Sequence, residues 1–221
     1  MRKRFMFLFL SLALSAPSLL SASEILPGDL IPKVQASYQG LKDLKASFEQ
    51  ETTIQDFKTA VKYTGELFLK KKDKMKLVYL QPKKEDLYIV GNQITTYLPD
   101  QHQAVSGIFS KEQESQLPLR LLSGESILNR EFIIKPASGK NASPYRLLLI
   151  PRQKDENLEK VEIEIDPSTY LIRELRLYQR NQNTSSFKFS NILINSGLTD
   201  QSFSFIAPEG TDIIRPFLPA K

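Results

Sequence analysis

Side chains suited to chemistry are sparse in this sequence. The one imidazole, His102, stands in the polar run Pro99-Asp100-Gln101-His102-Gln103, and no serine lies in the G-x-S-x-G elbow that a hydrolytic triad of this kind needs. A turn histidine is the simpler reading. With no cysteine, the chain lacks disulfides, thiolate nucleophiles, thiolate metal sites and a lipid-modified amino-terminal cysteine. Asp100 and His102 lack the clustered His and Cys spacing of a metal site. Glu162 and Glu164 are two residues apart, as on the wet face of a strand, a pattern that does not distinguish a glycosidase pair. Nine glycines form neither of the usual phosphate-binding patterns. The expectation is a protein without catalytic residues, metal or cofactor.

The elements that position the remaining residues begin after an export segment. Met1 to Ser23 places three basic residues before an apolar run from Phe5 to Leu14, followed by small residues and Pro17, the pattern of a cleaved secretory signal peptide. The apolar run is short beside the roughly 20 residues that cross a bilayer. Cleavage after Ala22 or Ser23 removes Arg2, Lys3 and Arg4 and no acid, so the formal charge falls from +5 to +2. Most of the basicity that might have pointed to nucleic acid therefore belongs to the export segment. Residues 24–221 are expected to form one domain in an extracytoplasmic compartment.

Hydropathy patterning assigns the rest mainly to strands. Ile31, Val34 and Tyr38 share a helical face that either follows Pro32 or includes it in a first turn, and Gly40 can end that helix. From Leu44 the period changes to two, with Leu44, Ala46 and Phe48 on one face. Strand-like pieces recur at 63–70, 75–80, 87–90, 94–98, 131–135, 145–150, 159–165, 171–178, 186–194 and 202–206. Val161, Ile163 and Ile165 alternate with Glu162, Glu164 and Asp166, so the sheet has one apolar and one wet face. Lys111 to Asn129, rich in leucine, fits short helices better. The economical packing is a strongly curved antiparallel sheet whose apolar concave face is covered by the amino-terminal and central helices. A small outer-membrane barrel would need the other face to be apolar.

Two further features bear on binding. Lys70, Lys71, Lys72, Lys74, Lys76, Lys83 and Lys84 form a basic run with Phe68 and Tyr79 nearby. It reads either as a solvated turn with an edge strand protected by lysines, or as a rim that meets an acidic partner or lipid headgroups. Thirteen Phe and eight Tyr include the alternating pairs Phe187/Phe189 and Phe203/Phe205, which either fill a core or line an apolar pocket.

Several motifs together carry a family resemblance. LKASFEQ from Leu44, YTGELFLKK from Tyr63, YLQP ending at Pro82, VGNQITTYLPDQHQAV from Val90, LPLRLLSG from Leu117 and FSFIAPEGTDII from Phe203 resemble, in order and spacing, the periplasmic outer-membrane lipoprotein carrier (LolA) family. The resemblance implies an incomplete antiparallel β-barrel of about eleven strands, closed by helices over an apolar cavity. Its implied role is a soluble periplasmic shuttle that takes acylated lipoproteins from an inner-membrane ABC-type exporter to an outer-membrane acceptor or membrane. No nucleic acid is implied, and the chain is expected to be a monomer. The missing cysteine favours the soluble carrier over the lipid-anchored acceptor of the same fold. A lipid-binding or protein-interaction module of that fold with a different cargo is the alternative.

On this reading the lipid-binding cavity is lined by some of Phe48, Leu67, Leu69, Met75, Leu77, Phe187 and Phe189, and the lid comprises Leu117, Pro118, Leu119, Leu121 and Leu122. Where the family usually shows Arg-Pro after the Gly-x-Leu-aromatic strand, Gly65, Leu67 and Phe68 match, but Lys71 and Lys72 occupy the Arg-Pro places and Leu77 replaces a following aromatic. The family arginine helps hold the lid helices closed. Lys71 offers charge and a hydrogen bond without the planar fork of arginine, which implies an altered latch or partner contact.

Overall fold

The structure is a computed structural model and describes residues 27–55, 59–71, 73–108, 121–122, 128–137 and 143–215. The proposed export segment and Leu117, Pro118, Leu119 and Lys72 lie outside the described residues. Twelve strands form one sheet: β1 (Asp43–Ile54), β2 (Thr59–Lys70), β3 (Lys74–Gln81), β4 (Glu85–Val90), β5 (Gln93–Leu98), β6 (Gln103–Ile108), β7 (Phe132–Pro136), β8 (Tyr145–Pro151), β9 (Leu158–Ile165), β10 (Ile172–Gln179), β11 (Thr184–Ile194) and β12 (Asp212–Ile214). Their order is β12-β6-β5-β4-β3-β2-β1-β11-β10-β9-β8-β7. Neighbours are antiparallel except β12, which runs parallel to β6. The terminal strands β12 and β7 are not paired with each other, so the sheet is unclosed.

Period-two patterning places the core on one face. Leu44, Ala46 and Phe48 of β1, Leu67 and Leu69 of β2, Met75 and Leu77 of β3, and Val161, Ile163 and Ile165 of β9 are buried together in one apolar cluster. Helix α1 (Pro27–Gly40) contributes Leu30, Ile31, Val34 and Tyr38 to that cluster. Leu121 and Leu122, in a helical segment, and Leu128 of the single-turn helix α2 (Leu128–Glu131) complete its cover among the described residues. This is the expected mainly-β architecture, an unclosed sheet with helices over its apolar face.

Four details differ from the sequence expectation. Helix α1 starts at Pro27, so Pro32 lies inside it rather than in or before its first turn. The residue four before Pro32, whose carbonyl a proline ring crowds, is Gly28. Strand β6 is not among the expected strands; it pairs residue by residue with β5, from Gln103 opposite Leu98 to Ile108 opposite Gln93. The 202–206 segment is not a strand: Asp200–Phe203 makes a 3-10 turn, with Ser202 N–H donating to Thr199 O and Ser204 N–H to Gln201 O. The sheet position next to β6 is filled instead by β12, and the aromatic alternation at Phe203 and Phe205 serves packing on the outer face. Finally, β3 lies between β2 and β4, so its lysines do not protect an edge.

Candidate functional site

The concave face changes character along the strands. At the end next to α1, Leu44, Ala46, Phe48, Leu67, Leu69, Met75, Leu77, Ile89 and Phe189 are all buried. Moving away from α1 along the same strands, the inward residues become half-buried: Gln50 and Thr52 on β1, Tyr63 on β2, Tyr79 on β3, Glu85 and Leu87 on β4, Leu177 on β10, and Ser185 and Phe187 on β11. No such gradient runs along β8 and β9, where Leu149 and Val161 are as inaccessible as Leu147 and Ile163. Within the described residues, the apolar interior therefore has a sealed end under α1 and a half-exposed end on the β11-β1-β2-β3-β4 side.

All seven residues expected to line a lipid cavity lie on this face. Phe48 pairs in register with Phe189 across β1 and β11 and with Gly65 across β1 and β2. Leu67 pairs with Leu77, and Leu69 with Met75. Six belong to the buried cluster, and Phe187 packs against it while half-buried. The ring of Phe48 meets those of Tyr79 (5.1 Å, edge-on) and Phe187 (6.5 Å), and Phe187 stacks along Phe189 at 6.5 Å. Gly65 makes this convergence possible. A Cβ built there would stand 2.6 Å from Phe48 Cζ and 2.2 Å from Val78 O, so only glycine lets the two rings meet above β2.

A polar band crosses the half-exposed end. Tyr79 OH donates to Gln50 Oε1 (3.2 Å), Gln50 Nε2 donates to Thr52 Oγ1 (3.1 Å), and the Thr52 and Ser185 hydroxyls lie 3.2 Å apart. Tyr63 packs edge-on against Tyr79 at 5.9 Å. Glu85 is Tyr79's register partner on β4, and burial pushes its carboxyl above the usual range. Burial, with Glu85 beside it, pushes the Tyr79 hydroxyl up to about 12. Sequence patterning missed this band because Gln50, Thr52 and Ser185 resemble ordinary solvent-side residues; the clue was that they continue the inward parity of Phe48 and Phe187.

Lys71 reaches α1. Its Nζ donates to Gln39 O, in the last turn of the helix, and its own N–H donates to Lys42 O (3.0 Å). The last turn of α1 has no basic residue of its own, so β2 supplies the cation that complements its carbonyl end. Tyr38 fastens the same helix from within, accepting the Ile172 N–H at 3.1 Å, and Ser37 donates to Thr169 O at 2.8 Å. Leu121 and Leu122, the described part of the expected lid, are buried in the core cluster.

Two other lysines of the run, Lys70 and Lys74, are engaged with the carboxy-terminal segment. Asp200 accepts from Lys70 (2.8 Å) and Lys74 (2.7 Å), which hold its carboxyl well down, at about 2. Lys76 lies 3.9 Å from Asp86 and 4.7 Å from the centre of the Tyr88 ring. Phe205 packs against Tyr88 and Tyr97 at 5.5 and 5.3 Å, and Phe203 is only 1% exposed. This strap lies on the outer face of β3 to β5, starting from a turn that buried Asp43 holds. Burial alone would raise the Asp43 carboxyl, but hydrogen bonds from the Ser196 hydroxyl and the Ser196, Gly197 and Leu198 N–H groups outweigh it and hold the pKa down. Lys83 and Lys84 remain exposed in the β3-β4 turn.

The groups with nominal chemistry are structural. His102 is exposed in a left-handed turn (φ 48°), and its carbonyl accepts the Asp212 N–H that starts β12. Glu162 and Glu164 line a polar depression of about 180 Å³ on the outer face, among Arg146, Glu174, Arg176 and Lys188. Arg146 donates to Glu164 and Tyr178 OH to Glu162. Among the described residues, no cluster of three or more His, Cys, Asp or Glu is placed to hold a metal, and no helix is long and apolar enough to cross a membrane.

Residues 39–206 match the family described as Outer membrane lipoprotein carrier protein LolA. The outer-membrane lipoprotein carrier protein of Nitrosomonas europaea is 26% identical over 172 residues, covering 77% of this chain and 82% of that protein. That of Hahella chejuensis is 23% identical over 91% of this chain and 96% of its own length. Among solved structures, an uncharacterized conserved protein from Thermus thermophilus shares the fold, with a TM-score of 0.57 and 9% identity over 85% of this chain and 98% of that one. With an apolar, helix-covered interior and a family match over most of its length, this chain belongs to the LolA family of outer membrane lipoprotein carriers, and its role is a periplasmic, non-enzymatic one in lipoprotein or lipid transport or interaction.

Proposed function

We propose that this protein carries the acyl chains of lipoproteins released from the inner membrane, holding them against the concave face, and delivers them to an outer-membrane acceptor. The observation that carries this reading is the gradient along the concave face, from a sealed end under α1 to a half-exposed end at Phe187, Tyr79 and Leu177. Acyl chains are costly to hold in water, at roughly 0.8 kcal/mol per buried CH₂, so a shuttle needs an apolar interior with an entrance. It must also release its cargo.

In this scheme Phe48, Leu67, Leu69, Met75, Leu77, Phe187 and Phe189 are the lining, and the Leu117 to Leu122 segment is the lid that competes with cargo for the same surface. Lys71 is the latch, acting through α1: its bond to Gln39 O holds the helix that seals the far end. Cargo then moves by differences in affinity among an ABC-type exporter, the carrier and the acceptor. The export segment, Met1 to Ser23, is removed on the way to the periplasm, leaving residues 24–221 as one monomeric domain.

The test is a reconstituted release assay, with a diacylated lipoprotein in proteoliposomes containing the exporter and purified carrier outside. A soluble one-to-one complex is expected, with yield altered by Lys71→Met and restored toward native by Lys71→Arg. If the lipoprotein stays in the vesicles whatever carrier is added, acyl-chain shuttling is refuted, and the fold serves another cargo.

A further inference from the structure

The polar band at the half-exposed end has an unfilled hydrogen-bonding position. Gln50 has two amide N–H groups and one carbonyl. Its carbonyl accepts from Tyr79, and one N–H is given to Thr52. The second N–H has no partner among the described residues, although the side chain is half-buried beside aromatic rings. The side chain is half-buried, so this donor is within reach of water at the open end, and a ligand carbonyl can take the water's place. Its setting is also fixed. Tyr79 reaches Gln50 from β3 because Gly65 on the intervening β2 has no side chain, and Thr52 is in turn tied to Ser185 on β11. Three side chains from three strands, Tyr79, Thr52 and Ser185, thus fix the Gln50 amide at the border between the apolar lining and the open end.

We infer that Gln50 is a specificity-determining donor for the carbonyl oxygen of an acyl ester or amide. The inference rests on the acyl-carrier reading and adds to it a polar checkpoint where chain meets head group. An acyl chain lying on Phe48, Phe187 and Leu175 would bring its carbonyl level with Gln50, which is Phe187's register partner on β1. The chemistry is that of a neutral donor. Tyr79, whose hydroxyl is pushed up to about 12, and Thr52 are the two side chains bonded to the Gln50 amide, and neither carries a charge at neutral pH. The site would thereby separate acylated cargo from hydrocarbon of equal length.

The test compares two synthetic cysteine peptides that differ only at the linkage. One carries two palmitoyl ester chains on its thioether-linked glycerol, and the other two hexadecyl ether chains, which lack the carbonyls. Binding to the full mature chain is measured by displacement of a fluorescent apolar dye. The native protein is expected to prefer the diester by about 3- to 10-fold, the worth of one neutral hydrogen bond. Gln50→Leu should bring the ratio to about 1, and Tyr79→Phe, which frees the Gln50 carbonyl, should lower it part-way. Equal, tight binding of both lipids by the native protein would overturn the inference and leave the carrier reading intact. A preference that survives Gln50→Leu would also overturn it. Failure to bind either lipid would remove the carrier reading and this inference with it.

Discussion

Replacing Gly65 with alanine tests whether the interior is built around the convergence of Phe48 and Tyr79. The added methyl would lie 2.2 Å from Val78 O, 2.6 Å from Phe48 Cζ and 2.7 Å from Phe48 Cε1. The carbonyl belongs to the neighbouring strand β3, so it cannot move without disturbing the ladder, whereas the Phe48 ring lies between those of Tyr79 and Phe187. Overpacking of this kind costs about 1–3 kcal/mol, and a clash with backbone belongs at the top of that range. At about 3 kcal/mol, a domain of this size should lose about 6–12 °C in Tm. Gly107→Ala is the matched control, since a Cβ there has only Ile94 Cγ2 within reach, at 3.7 Å in the neighbouring strand. It should leave Tm nearly unchanged or slightly raised. Thermal unfolding followed by circular dichroism reads both, and dye displacement reads the second consequence, weaker binding as Phe48 is pushed into the lining. If Gly65→Ala melts within about 1 °C of Gly107→Ala, the tight approach at β2 and the packing argument built on it are wrong.

Three other perturbations probe separate parts of the fold. Lys71→Met should speed hydrogen exchange at the carboxy-terminal turn of α1 by about 2- to 5-fold while leaving β9 unchanged, and Lys71→Arg should not; equal exchange in both variants would remove the latch. Phe203→Ala should cost about 3–5 kcal/mol by urea unfolding because the ring is almost fully buried under the strap; a loss below about 1 kcal/mol would mean that the strap is not part of the cooperative core. The Asp43 carboxyl is held below its ordinary value, so its contribution to stability is complete above the unfolded carboxylate pKa of about 3.9 and is lost as pH falls through its lower folded value. Asp43→Asn should therefore flatten the fall in stability in that acid window, and an unchanged slope would show that the strap turn is held by other groups.

How much of this was legible in the sequence depended on whether a residue's role follows from its own parity. The alternation at Leu44, Ala46 and Phe48, or at Val161, Ile163 and Ile165, places those residues directly, because a period of two fixes the face. The membership of the apolar, helix-covered face was therefore readable. Phe203 and Phe205 show the same alternation for a different reason: Phe203 is buried in the 3-10 turn, Phe205 packs against Tyr88 and Tyr97 on the outer face, and a local pattern cannot distinguish a sheet partner from a strap. Strand β6 was obscured by Ser106 and Gly107, which interrupt its apolar alternation, and β12 by its length of three residues. The lysine run was visible as charge, but its partner Asp200 lies more than a hundred residues away, so its use as a clamp was not. Gln50 was legible only in part: its inward parity was visible, while its bond to Tyr79 spans the intervening strand β2.

The most direct measurement is to map where the acyl chain lies. A diacylated peptide carrying a diazirine near the end of one chain would be photolysed in complex with the mature protein, and the adducts located by mass spectrometry. The account predicts adducts on the concave lining, at Phe48, Leu67, Leu77, Leu175 and Phe187, and none on outward residues such as Tyr88 and Arg176. Adducts confined to the outer face, or no complex to photolyse, would contradict it.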